Sequence, residues 1–237
     1  MAKRLSRASM GRSFKGLLRR SLGPFATTSS MSAEQTFRFL ARRLASDYGN
    51  KGKTVLLVAM SAQNDPLDAD EAMQLASLLQ DETGMRVLLL DSDFSGEIGL
   101  SQAFGCADEP GLAELLDSER ADPTLYFHET AQAGVVFLPR GPGLDDVDRS
   151  AFRENLAQSL TTAAAGFGYV VAVQPGVTAD TRGFEMVRHG ECVLLLAREG
   201  RTRLADIEDQ EAALTQNSKT DIRIVLSTPG PLLAESR

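Results

Sequence analysis

The chain has 237 residues, 43% hydrophobic and 24% charged, with a formal net charge of −7. That is the composition of one ordinary globular domain, which excludes a fibrous or wholly disordered chain. No apolar run reaches the roughly 18 residues of a membrane-spanning helix, and two cysteines, Cys106 and Cys192, are too few for a disulfide scaffold, so a reducing compartment fits best.

Charge is segregated along the chain. Lys3, Arg4, Arg7, Arg12, Lys15, Arg19 and Arg20 all precede the first acid, Glu34. The remaining 18 basic residues face all 32 acidic ones, so a cationic arm precedes an anionic body with a balance of −14. Within this arm, residues 1–33, Phe14, Leu17, Leu18 and Leu22 recur at helical spacing, opposite Lys15, Arg19 and Arg20. The apolar core of a secretory signal is missing. Two readings stay open. Residues 3–22 form either an interfacial helix on anionic lipid, where each cation contributes about 1 kcal/mol, or a solvated tail.

From Thr54 the chain alternates between short apolar runs and helical patterns. In order, the pattern predicts strand 54–59, helix 68–83, strand 86–90, helix 111–117, strand 135–138, helix 147–165, strand 169–173, helix 181–188, strand 193–197, helix 204–216 and strand 222–226. Most of the runs are branched or leucine-rich without polar alternation, as in strands buried on both faces. The alternation implies right-handed crossovers and a doubly wound, mainly parallel α/β sheet flanked by helices. Residues 34–228 are then a single domain and 229–237 a tail. Ligands of such sheets bind outside the carboxyl ends of the strands, which directs attention to the stretches after Ala59, at Asp91 and after Val173.

Asp91 and Asp93, in Val87-Leu-Leu-Leu-Asp91-Ser-Asp93, leave a buried strand pointing the same way and are candidates to hold a hydrated Mg²⁺. The alternative is that Asp91 caps the following turn while Asp93 is solvated. His128 and His189 sit near no set of ligands with metal spacing. Cys192 opens an apolar run and reads as core packing. Gly141-Pro142-Gly143 is a turn after a strand, not a phosphate loop.

Several stretches carry a family resemblance in the expected order. They are Val87–Asp93, Phe104–Leu116, Val136-Phe-Leu-Pro-Arg-Gly-Pro142, Tyr169-Val-Val-Ala-Val-Gln-Pro175 and Leu194–Arg203. In these, residues 34–227 resemble the cytoplasmic domain of bacterial tyrosine autokinases, a group of deviant P-loop ATPases. The resemblance implies a P-loop NTPase-like fold and work beside membrane polysaccharide co-polymerases in capsule and exopolysaccharide export. The family's ring-forming helix carries E-x-x-R-x-x-R, a feature that is altered here, where the charged residues are Glu34, Arg38 and Arg42 and the family's ring is not carried over. Spaced by four, these share one helical face and can pair along it.

The family's phosphate loop reads P-G-x-G-K-[ST]-[ST]: glycines let backbone N–H groups wrap phosphates, and the lysine bridges the outer ones. The corresponding stretch here is Ser61-Ala-Gln-Asn64-Asp65-Pro66-Leu67-Asp68-Ala-Asp70-Glu71, without glycine or lysine. The lysine position falls on Leu67 or Asp68 and the hydroxyl position on Asp68, Ala69 or Asp70. Pro66 suits a helix start, and Asp68 with Glu71 predicts a capping box. Carboxylates there would occupy the helix dipole and repel a triphosphate. The arginine after the D-x-D segment falls on Ser95, and the acid of the second metal-binding strand on Val173, which cannot hold Mg²⁺.

The resemblance with these departures implies a non-catalytic adaptor: cytoplasmic, at the inner face of the membrane, bound to a polysaccharide co-polymerase or a kinase paralogue. No cofactor and no nucleic-acid partner are expected, and homo-oligomerisation stays open. The alternative is an active autokinase or ATPase holding ATP and Mg²⁺ in an unconventional site, with Arg86, Arg182 or Arg188 in place of the lysine. A positioning ATPase of the same superfamily meets the same objection. Asp65, Asp68, Asp70, Asp91 and Asp93 could also form a new cation site.

Overall fold

The computed structural model describes residues 33–49, 54–61, 69–93, 99–117, 122–142, 149–176 and 181–227. In chain order its elements are α1 (Ala33–Tyr48), β1 (Val55–Ser61), α2 (Ala69–Thr83), β2 (Val87–Asp91), α3 (Leu100–Ala103), α4 (Leu112–Asp117), a 3-10 turn (Pro123–Tyr126), β3 (His128–Glu129), β4 (Val135–Leu138), α5 (Arg149–Ala163), β5 (Tyr169–Gln174), α6 (Thr181–His189), β6 (Cys192–Arg198), α7 (Leu204–Asn217) and β7 (Asp221–Ser227). Among the described residues the strands form one seven-stranded sheet in the order β3-β4-β2-β5-β1-β6-β7. β3 alone pairs antiparallel, on β4. The remaining pairings are parallel. This is the doubly wound α/β fold that the alternating pattern predicts.

The alternation of side chains assigns each strand residue to one of two cores. On one face Val58, Leu90, Leu138, Ala172 and Leu195 pack with Phe152, Leu156, Met186, Ile207 and Leu214 of α5, α6 and α7. On the other, Leu57, Leu89, Val171, Cys192 and Leu194 pack with Phe37 and Leu44 of α1 and Leu75 and Leu79 of α2. Central strands buried on both faces account for their unbroken apolar runs.

α1 shows how the remainder is tied on. Phe37, Leu40, Ala41, Leu44 and Tyr48, three and four apart, are all buried. Tyr48 Oη donates to Asp221 of β7 at 3.1 Å, and Arg223 reaches Asp47 at 2.9 Å. Three short elements go beyond the sequence pattern: α3, the 3-10 turn and β3. Each is two to four residues long, too brief for periodicity, and is held by particular contacts. In the 3-10 turn, for instance, the Asp122 carboxylate accepts from Thr124 N–H at 3.0 Å. Among the described residues no helix is long and apolar enough to cross a membrane.

Candidate functional site at the carboxyl edge of the sheet

Parallel pairing brings Ser61, Asp91, Gln174 and Arg198, the last residues of β1, β2, β5 and β6, to one edge of the sheet. Asp91 is 1% exposed, and both its oxygens are engaged by the chain. Oδ1 accepts from Asp93 N–H at 3.1 Å, and Oδ2 accepts from both the backbone N–H and the hydroxyl of Ser101 at 2.7 Å. Asp91 therefore anchors the first turn of α3, the capping role that the sequence left as an alternative. Burial pushes its carboxyl above the ordinary value, and the bonds from Ser101 and Asp93 pull it back only in part.

Asp93 is buried at 3% exposure rather than solvated. The two carboxylates do point the same way: a Cβ on Gly99 would lie 3.0 Å from Asp91 Oδ2 and 3.3 Å from Asp93 Oδ2. Among the described residues no group of three or more His, Cys, Asp or Glu side chains is placed to hold a metal ion.

Val173 is buried in the core shared with α1 and α2. Its carbonyl accepts from the Ser92 N–H at 2.8 Å and the Ser92 hydroxyl at 2.9 Å, which closes β5 onto the turn after β2. The next residue, Gln174, escaped the sequence reading. It is 3% exposed, its Nε2 donates weakly to Gly183 O at 3.4 Å, and its Oε1 has no hydrogen-bond partner among the described residues. Only its polarity at the end of an apolar strand could have marked it.

The structure corrects two expectations about charge. Glu71 does not turn back to complete a capping box. Its carboxylate meets Arg198, with Nη2 at 2.7 Å and Nε at 3.4 Å, because a partly buried guanidinium is a stronger partner than a backbone N–H. Arg42 does not pair along α1 either. Arg38 binds Glu34 at 3.0 Å, whereas Arg42 crosses to Glu82 of α2 at 2.9 Å, since its neighbour one turn back is another cation. Asp70 is exposed in the first turn of α2. Asn64, Asp65, Leu67, Asp68 and Ser95 lie outside the described residues, as does the side chain of Arg182.

Two arginines weighed as substitutes for the lysine sit at the wrong edge. Arg86 precedes β2 and lies over the Phe167 ring at 4.7 Å. Arg188 pairs with Glu185 at 2.7 Å and lines a groove of about 560 Å³ with Tyr48, Glu191, Lys219 and Asp221, where the strands begin. His128 finds one neighbour that spacing did not suggest, the Cys106 sulfur at 3.8 Å from Nδ1. Cys192 is fully buried, and burial pushes its thiol up to about 12.

No family model and no curated protein sequence matches the chain. Solved structures do. The kinase domain of Escherichia coli tyrosine kinase ETK superposes with a TM-score of 0.65 at 18% identity, covering 100% of this chain and 84% of that one. The VpsO kinase domain gives 0.63 at 21% identity over 83% and 96%. This chain has the fold of the bacterial tyrosine kinase domains. A wider relative, cobyrinic acid a,c-diamide synthase from Mycobacterium smegmatis with bound ADP and magnesium, gives 0.57 at 17% identity over 74% of each chain. At the carboxyl edge of this chain Val173 lies in the core, Asp91 is tied to Ser101, and Arg198 is tied to Glu71.

Proposed function

We propose that the domain is a non-catalytic relative of the bacterial tyrosine kinases, an adaptor that regulates or scaffolds exopolysaccharide biosynthesis or export. Its partner on this reading is a membrane polysaccharide co-polymerase or a kinase paralogue. It works in the cytoplasm at the inner membrane face, with residues 34–228 as the folded unit and the basic arm near anionic lipid.

The observation that carries the reading is that the chain's own side chains occupy the carboxyl edge. Mg²⁺-ATP needs carboxylate oxygens free for the metal or its waters and a cation free for the phosphates. Asp91 gives its oxygens to Ser101 and Asp93, Val173 is an apolar residue in the core, and Arg198 is neutralised by Glu71. The described residues do not fit that cofactor. A stretch after β1 without glycine or lysine, on a retained sheet, suits a protein kept for its surface, although fold alone does not establish function.

The test is a pull-down with the tagged full chain from membranes of the source cell. The adaptor reading expects recovery of a co-polymerase or kinase paralogue that survives hydrolysis or removal of ATP. Recovery of neither, together with autophosphorylation on tyrosine by the purified chain, would replace it with the active-kinase alternative.

A further inference from the structure

The two outer strands of the sheet are built differently. β3 is two residues long, His128–Glu129, too short to template another chain. β7 is seven residues long, Asp221-Ile-Arg-Ile-Val-Leu-Ser227, and lacks the lysine or proline that blunts an exposed edge. Among the described residues it pairs with β6 alone. The Ser227 carbonyl accepts from Glu199 N–H at 2.9 Å, so the Ser227 backbone faces β6. Backbone direction alternates along a strand, so Asp221, Arg223 and Val225 face β6 as well, and Ile222, Ile224 and Leu226 turn their N–H and C=O groups outward. Their side chains form one row on the face that α5, α6 and α7 cover. Ile224 is buried there, while Ile222 and Leu226 are only partly covered.

We infer that β7 is a self-association edge, to which a second copy of this chain adds its own β7 antiparallel, across a two-fold axis through Ile224. The occupant follows from self-complementarity. With Ile224 opposite its counterpart, Ile222 falls opposite Leu226 of the copy and Leu226 opposite Ile222. Outward residues thus meet outward residues and exchange their N–H and C=O groups, and the two-fold closes the assembly at two chains. The aliphatic rows join into one, which covers what is left exposed of Ile222 and Leu226. On the opposite face Asp221 meets Ser227 and Arg223 meets Val225, so no charge stands directly against its like. The two Arg223 side chains become diagonal neighbours, and each is already neutralised by Asp47 and Asp221, both at 2.9 Å. Such a dimer is compatible with an adaptor and with an active kinase alike.

The test is sedimentation velocity of the full chain over a concentration series. It compares wild type, Ile222→Lys with Leu226→Lys, and Ile222→Lys with Leu226→Glu. Because position 222 faces position 226 of the copy, the first double variant sets like charges across the axis and the second sets opposite ones. Wild type is expected to dimerise, the lysine–lysine chain to bind itself about ten-fold or more weakly, and the lysine–glutamate chain to regain affinity over it. A wild type that stays monomeric up to about 100 µM overturns the edge, as does equal affinity of the two double variants. Should a variant unfold, amide hydrogen exchange of the wild type decides without substitution. The amides of Ile222, Ile224 and Leu226 must gain protection with concentration, while those of Arg223 and Val225 stay protected throughout. Outer protection that ignores concentration and vanishes on removal of residues 229–237 assigns the edge to the chain's own tail and overturns the dimer.

Discussion

Asp91 gives both its oxygens to the chain and excludes water while doing so, so its proton is linked to folding. The folded-state pKa is raised above its ordinary value, with burial as the leading cause. The native state then binds the proton more tightly than the unfolded chain, whose aspartates titrate near pH 4. The carboxyl's contribution to stability is fully present below that pH and is lost as pH climbs through the raised value. Asp91→Asn has no proton to lose. Urea unfolding at a series of pH values from about 4 to 7 should therefore show the wild type losing ground to Asp91→Asn as pH rises. A wild-type advantage that grows with pH would mean that the bonds from Ser101 outweigh burial.

α1 separates two kinds of contact on one element. Its inner face buries Leu44 completely, whereas Arg38 meets Glu34 on a side where both are about half exposed. Leu44→Ala should cost about 2–5 kcal/mol through lost burial and the cavity left behind. Arg38→Ala should change stability by less than about 1 kcal/mol, because an exposed pair at this spacing is weak and screened. Denaturant melts of the two variants check the contrast. A large effect of Arg38→Ala on the isolated chain would point to a role in self-association, which a concentration series would reveal. The long elements were legible in the sequence for the same physical reason that Leu44 matters. Double-sided burial wrote unbroken apolar runs into β1, β2, β5 and β6, and single-sided burial wrote helical spacing into α2, α5 and α7. α3 and β3 were not legible because they exist through single contacts, such as Ser101 with Asp91, made between residues ten positions apart.

At the scale of the whole molecule the edge that should carry ligand chemistry was legible, since the order of strands dictates where parallel carboxyl ends gather. Val173 and the Asp91–Asp93 pair could be assigned to it from sequence. The partners could not: Glu71 and Arg198 are 127 positions apart, and nothing local in either neighbourhood announces a pair that only the sheet order β1-β6 brings together. That pair makes the nucleotide question measurable in bulk. A ligand that binds only the native state at 100 times its dissociation constant stabilises it by about 2.7 kcal/mol. For a chain of this size about 1 kcal/mol raises the melting temperature by roughly 2–4 °C, so Mg²⁺-ATP in such excess over a working site would raise it by roughly 5–10 °C. For the wild-type chain the expected shift is below about 1 °C. Because Glu71 is already paired with Arg198, the native state has no uncompensated guanidinium there to reward with a phosphate, and Asp91 has no free oxygen to reward with a metal. A rise of several degrees with Mg²⁺-ATP, absent with Mg²⁺ alone, would show that nucleotide displaces Glu71 unaided, and the domain would then return to the ATP-binding members of its fold.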